Sequence, residues 1–507
     1  MRHLILAACL ACAAPAVAAP PLVVALGPAP ERGFDPLFGW GETGDLLIQS
    51  TLWRRDVDGA PIGELATGWT LSDDRLGWTI TLRGDARFSD GRALTSADVA
   101  ATFNAALTTG TRDMRPLIAA AATGPLTVTL TLSTPAISFT EQFYTLGIMP
   151  ADRDPQSYGQ NPVGSGPYML DHWRAGEQLT LTANPHYFGD APAFERITFL
   201  LADDTAGLMA ARAGAAQLVH LPLTASEVSV AGMSRVERQT VDNRGISLPM
   251  AQPHDVDGKR IGNAVTSDPA IRAALNLGFD RDMLVAVGLG GHGRPAFGPG
   301  DRLAWDGEIA LPTDQNAAMA GLDAAGWITG PDGIRVKDGI SAEFPLYYPS
   351  HDPLRQKLAE LVALLAQPLG IAVTPRGANW EEIARVMAAE PVVFGFGTPS
   401  PRQIAELFQS DLAGVAWSNP THYANPAVDA LIARAEAAPD LPSAHAIWQE
   451  TFAHTGLQGD QPWAWLVNID HLYLADDCLD LGPARIEPHM HGWPLTEGIR
   501  DWRWTCD

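Results

Sequence analysis

Two hydrophobic periods interleave along this chain from end to end, and no all-helical or all-strand fold can accommodate both. Leu126-Thr127-Val128-Thr129-Leu130-Thr131-Leu132 alternates strictly between apolar and polar, the pattern of a strand with one buried face. Trp78-Thr79-Ile80-Thr81-Leu82 and Leu179-Thr180-Leu181-Thr182 do the same. Helical signals lie between and beyond them. Thr95-Ser96-Ala97-Asp98 opens a helix with a hydroxyl cap and an acid in the first turn. Leu354, Leu358, Leu361 and Leu365 fall on one helical face, and Val428, Leu431 and Ile432 mark another after Asn425-Pro426. The alternation predicts a mixed α/β or α+β architecture. With 507 residues, and about 100–200 residues per domain, two to four domains are expected. The 48 glycines and 40 prolines are spread throughout, so the elements are short and joined by many turns.

The N-terminus carries a targeting pattern. Met1-Arg2-His3 precedes the apolar run Leu4 to Ala14, and Ala16-Val17-Ala18 follows as a small-residue cleavage site. This is a secretory signal peptide over residues 1–18, too short to span a bilayer. Cys9 follows Leu6-Ala7-Ala8 as in a lipoprotein box, but only five apolar residues precede it, so a plain signal is the preferred reading over a lipid anchor. The mature chain then keeps two cysteines, Cys478 and Cys506, which in an exported protein most simply pair. Closing that loop contributes roughly 3 kcal/mol in the chain-entropy picture. Charge narrows the partners. Lys and Arg total 34 against 58 Asp and Glu, a net charge of −24. That balance excludes a general nucleic-acid binder and argues against docking on anionic lipid.

Enzyme signatures are weak. Gly288-Leu289-Gly290-Gly291-His292-Gly293 fits a dinucleotide pattern, but it follows a helix-like stretch and runs into Arg294-Pro295, so a loop is expected. No nucleophile elbow, zincin motif or phosphate loop occurs. His489-Met490-His491 is the one tight histidine pair. On a strand both rings could face one side and share a metal, although two ligands do not complete a site. Fifteen tryptophans exceed what the core needs, so some are available to line a cleft.

Several blocks in order resemble one family. Ala66-Thr67-Gly68-Trp69 leads into Trp78 to Arg83, then Phe88-Ser89-Asp90-Gly91 and Leu94-Thr95-Ser96-Ala97-Asp98-Val99. Asn161-Pro162-Val163-Gly164-Ser165-Gly166-Pro167-Tyr168, Asn184-Pro185-His186-Tyr187-Phe188, Asp268 to Asn276, Leu322 to Trp327 and Asn425 to Asp429 follow. The series is similar to the family 5 solute-binding proteins of ABC importers, whose members bind dipeptides, oligopeptides, opines and nickel. As physical objects the blocks are scaffold. Gly164 and Gly166 permit a tight turn, and Gly91 supplies a positive φ after Asp90.

The resemblance implies an α/β (α+β mixed), two-lobed periplasmic binding protein fold with an extra subdomain inserted in lobe I. Lobe I is expected from residues 19–45, 172–250 and 468–507, the inserted subdomain from 46–171, and lobe II from 251–467. It implies a monomer that closes on a small solute or peptide in the periplasm and docks on an inner-membrane permease, with no cofactor, no catalysis and no nucleic acid. Expected ligand contacts are Phe38, Trp40, Arg112, Trp380, Phe396, Thr398, Trp417 and Tyr423. Arg112 and Arg115 are candidates to clamp a carboxylate, with an exposed surface role as the competing reading. The sequence departs from dipeptide-binding relatives at Val393 to Pro401, which carries no acid where a partner for a peptide amine is expected. A metal-chelate binder using His489 and His491 therefore stays open as the alternative, and an exported hydrolase as a lesser one.

Overall fold

A computed structural model of the chain describes residues 21–506, apart from 29, 31, 43–45, 308, 490 and 491. The signal segment 1–18, Cys9 and His491 therefore lie outside the described residues.

Two large sheets form the centre of the molecule. The first has seven strands in the spatial order Met233–Arg238, His471–Asp476, Leu218–Leu221, Leu22–Ala25, Arg196–Leu200, Gln178–Ala183 and Tyr168–Arg174. The second has six, in the order Gly293–Pro295, Trp463–Ile469, Asn243–Ser247, Val392–Phe394, Glu343–Pro349 and Ala372–Ala378. A four-stranded antiparallel sheet, Ala66–Leu71, Gly77–Leu82, Thr127–Leu132 and Leu117–Gly124, lies between residues of the first large sheet in sequence. The alternating runs behave as their period requires. Val128, Leu130 and Leu132 are buried, as are Trp78, Ile80 and Leu82, while the residues between them face outward or lie half-buried. Helix Ser96–Thr109 packs on this small sheet. Its first turn is closed by Asp98, whose Oδ2 accepts from the Thr95 backbone N–H at 2.8 Å.

Helix Pro353–Ala366 lays Leu358 and Leu365 into the core behind the six-stranded sheet, with Leu354 and Leu361 partly buried at its edge. Each such leucine contributes about 1.5–3 kcal/mol relative to exposure. The glycine-rich run 288–293 ends a π-helical turn at Gly288 and enters the edge strand Gly293–Pro295, so it is a loop and no strand leads it into a helix. Gly91 takes the expected left-handed φ of 86°. Gly164 is needed for a different reason: a Cβ there would stand 2.0 Å from the Ile48 carbonyl oxygen, so close approach of two backbones excludes any side chain.

The chain passes between the large sheets twice. It leaves the first after Arg238 and joins the second at Asn243, then returns between Ile469 and His471. Strand Asn243–Ser247 is buried throughout and paired on both sides, so the first crossing falls at 239–242, ahead of the break expected after residue 250. The Tyr168–Arg174 strand likewise joins the seven-stranded sheet ahead of residue 172. Cys478 and Cys506 are disulfide-bonded with Cα atoms 5.2 Å apart, tying the C-terminal strand Arg503–Trp504 against Leu479–Asp480.

Candidate ligand-binding site

A cavity of about 350 Å³ opens where the small sheet, the seven-stranded sheet's loops and the C-terminal segment meet. Its walls are heavily charged. Arg54, Arg55, Arg83, Arg485 and Arg500 line it together with Glu42, Glu64, Glu141, Asp190, Glu497 and Asp501. Most of these charges are matched within the protein. Arg55 pairs with Glu141 at 2.6 Å, Arg500 with Glu64 at 2.6 Å, and Arg485 with Asp501 at 3.2 Å. Aromatic faces carry the same arginines: the Arg55 guanidinium lies 4.1 Å from the Tyr144 ring centre, Arg83 4.0 Å from Phe188, and Arg500 5.7 Å from Tyr187. Pro399, from the loop after the strand Val392–Phe394 of the six-stranded sheet, completes the lining. Burial pushes the Tyr144 hydroxyl up from its ordinary value, so it stays a neutral donor there.

Of the eight ligand contacts expected from sequence, none lines this cavity. Trp40 is in the core, stacked edge-on against Phe34 and Trp493 and donating to Gln49 Oε1 at 3.2 Å. Tyr423 is also core, its hydroxyl donating to Asp460 at 2.8 Å. Phe38 is half-buried under the Arg32 guanidinium. Arg112 is buried and saturated. It donates to the Pro36 carbonyl at 3.2 Å, to Gln142 Oε1 at 3.1 Å, and to Thr145 Oγ1 and O at 3.0 Å each. It also lies 3.4 Å from Glu42, so it supports Thr145 and Glu42 of the cavity wall from behind. Arg115 is exposed on Asp113. Trp380, Phe396 and Trp417 do come together, around Phe394 and Trp463, with Trp380 and Trp417 ring centres 5.3 Å apart. Trp417 leaves 41% of its surface open. Thr398 holds its own loop, accepting from Ser400 N–H at 3.2 Å. Arg83, Tyr187 and Phe188 of the cavity belong to blocks read from sequence as scaffold, and the other lining residues come from separated segments with no shared period.

A second polar cluster sits at the two crossings. Asp242, Arg244, His471, Tyr473 and Glu487 are all buried. Asp242 Oδ1 accepts from Arg244 Nη1 and shares a hydrogen bond with His489 Nδ1. His471 places Nε2 3.7 Å from Asp242 Oδ2 and Nδ1 2.7 Å from Glu487, which also accepts from the Tyr473 hydroxyl at 2.7 Å. Burial alone would lower the His471 pKa, but Asp242 and Glu487 outweigh it and raise it to about 9. Burial pushes Asp242 up; Arg244 and the two histidines overcome this and hold it well below the carboxylate range. His489 thus serves this cluster, and among the described residues no group of three or more His, Cys, Asp or Glu is placed to hold a metal ion. The two halves also touch at their far side. Arg402 pairs with Asp113, and Glu436 accepts from the Ser138 N–H at 3.1 Å.

The comparisons with known proteins decide what this architecture is. Residues 60–397 match the model of bacterial extracellular solute-binding proteins, family 5 Middle. The chain belongs to this family. It is 35% identical to Protein XP55 of Streptomyces lividans over 482 residues, covering 91% of this chain and 86% of that protein. It is 26% identical to the probable D,D-dipeptide-binding periplasmic protein DdpA of Escherichia coli over 416 residues, 75% of this chain and 74% of that one. The solved structure of NikA from Brucella suis in complex with Fe(III)-EDTA superposes with a TM-score of 0.79 at 20% identity, covering 96% of this chain and all of the other. The fold is therefore the two-lobed periplasmic binding protein fold. No helix among the described residues is long and apolar enough to cross a membrane.

Proposed function

We propose that this chain is the exported substrate-binding component of an ABC importer, and that it captures a peptide or peptide-like solute. The observation that carries the reading is the cavity itself, whose lining holds arginines and carboxylates together with aromatic rings. A short peptide presents both signs of charge with polar amides between, and such a lining matches it. In this reading residues 1–18 direct export to the periplasm, the crossings at 239–242 and 470 act as the hinge, and an inner-membrane permease receives the closed form. Lobe I comprises the seven-stranded sheet with the inserted segment that ends before Tyr168, and lobe II the six-stranded sheet. Pro399 brings lobe II onto the solute, and the open face of Trp417 beside Trp380 and Phe396 offers apolar contact to longer ligands. The mature chain acts as a monomer and its work is selective binding, with no chemical step.

Thermal unfolding of the mature chain against di- to hexapeptides, opines, and Ni²⁺ with and without chelators tests this. A ligand at about 100 times its Kd adds roughly 2.7 kcal/mol of stability. Stabilisation by peptides alone is expected. Stabilisation by a metal chelate and by no peptide would replace the peptide reading with the chelate one.

A further inference from the structure

The two halves are joined by more than the two crossings. Residues 487–489 lie in sequence between the His471–Asp476 strand of the seven-stranded sheet and the 3₁₀ helix Trp493–Asp501. They run beside the first crossing, where Thr240 and Glu487 form a parallel bridge. The Glu487 N–H donates to the Gln239 carbonyl at 2.9 Å, and the Val241 N–H donates to the Glu487 carbonyl at 2.9 Å. Two residues on, the His489 N–H donates to the Gly397 carbonyl at 2.7 Å, on the loop after the Val392–Phe394 strand of the six-stranded sheet. Side chains reinforce these bonds. Glu487 accepts from the Tyr473 hydroxyl and pairs with His471 beside the second crossing, and His489 Nδ1 donates to Asp242 Oδ1 at the first. No side chain fits at Gly397. Its φ is 157°, and a Cβ there would stand 2.7 Å from the Val241 carbonyl oxygen, 2.9 Å from the Asp242 Cα and 3.0 Å from the His489 Cβ. The same stretch reaches the cavity: Pro488, next to His489, lines it, and so does Pro399, two residues past Gly397.

We propose that Glu487-Pro488-His489 is a third, non-covalent connection between the halves, a latch that holds them closed on the cavity, with His489 as its positioning residue. This rests on the reading above that the crossings are the hinge and that the cavity takes the solute. The crossings are continuous chain and persist whether the halves are open or closed. The His489–Gly397 contact is not covalent, so opening can break it, and a solute seated against Pro488 and Pro399 bears on both partners of that one bond.

The test is the distance distribution between nitroxides at Met209→Cys and Leu364→Cys, measured by pulsed electron resonance on the mature chain with no solute added. Both positions are exposed, on helix Asp204–Arg212 of one half and helix Pro353–Ala366 of the other. His489→Ala should lower the ratio of the short-distance to the long-distance population about fivefold or more, the scale of one net hydrogen bond. Gly397→Ala, which wedges the loop off the crossing, should lower it at least as far. His489→Asn, which returns an N–H near the place of Nδ1, should recover most of the ratio. A histidine with only a structural role would lower the melting temperature and leave the distribution as it was. An unchanged distribution in His489→Ala or in a folded Gly397→Ala, or no short-distance population in the starting chain, overturns the latch. Because no solute is present, these outcomes leave the solute-binding reading standing; that reading fails separately, if the mature chain takes up no peptide in dialysis.

Discussion

Replacing Asp242 by Asn should destabilise the molecule through the two crossings between its lobes. Asp242 is fully buried and is the acceptor shared by Arg244 and His489, with His471 3.7 Å away. The amide keeps the shape and removes the charge. Arg244 and His471 are then left buried with less compensation, and breaking a buried pair in this way costs about 3–5 kcal/mol. Unfolding entropy near 2.1 cal/mol/K per residue gives a chain of this length a slope on the order of 1 kcal/mol per degree, so the melting point should fall by roughly 3–5 °C. The pH dependence should change too. His471 has its folded pKa raised from 6.5 to about 9. Its contribution is therefore complete below about 6.5 and is lost as pH rises through about 9. In Asp242→Asn one of the two groups raising that pKa is gone, so the loss of stability above about pH 6.5 should be smaller and be complete at lower pH. Calorimetric melting from pH 5 to 10 measures both effects. A variant that melts within about a degree of the original and keeps the same pH profile would refute the claim that this cluster holds the crossings together.

Three further outcomes follow from the same contacts. Cys478→Ser with Cys506→Ser should lose roughly 3 kcal/mol by denaturant unfolding, with far-ultraviolet dichroism unchanged, because the bridge restrains a terminal loop. Arg402→Ala should cost less than about 1 kcal/mol of stability by denaturant unfolding, since its partner Asp113 is partly exposed and the same seam is also held by buried apolar side chains. Trp417→Ala should leave the melting point within about a degree and weaken binding of longer peptides two- to tenfold in titration calorimetry, the scale of one aromatic face.

Much of the scaffold was readable from local rules. The strand at Thr127–Leu132, the helix opened by Thr95 and Asp98 and the leucine face of Pro353–Ala366 follow from period and capping, which act over a few residues. The loop at 288–293 followed from its flanks. The site was not readable in this way. Asp242 and His489 are 247 residues apart, and Glu64 meets Arg500 across 436, so only the tertiary fold brings them together. Aromatic type was a poor guide to exposure: Trp40 and Tyr423 found polar partners for their N–H and O–H inside the core, whereas Trp417 stayed open. Arg112 illustrates the same ambiguity, since a guanidinium suited to a ligand carboxylate is equally suited to four acceptors of its own chain.

On the proposed function the chain captures its solute and releases it unchanged. Equilibrium dialysis of the mature chain against the peptide panel, with mass spectrometry of both compartments, measures both properties. Saturable uptake of one peptide per chain is expected, recovered chemically intact after the protein is denatured. Recovery of a cleaved or altered product, or no saturable uptake of any peptide, would refute the proposed function.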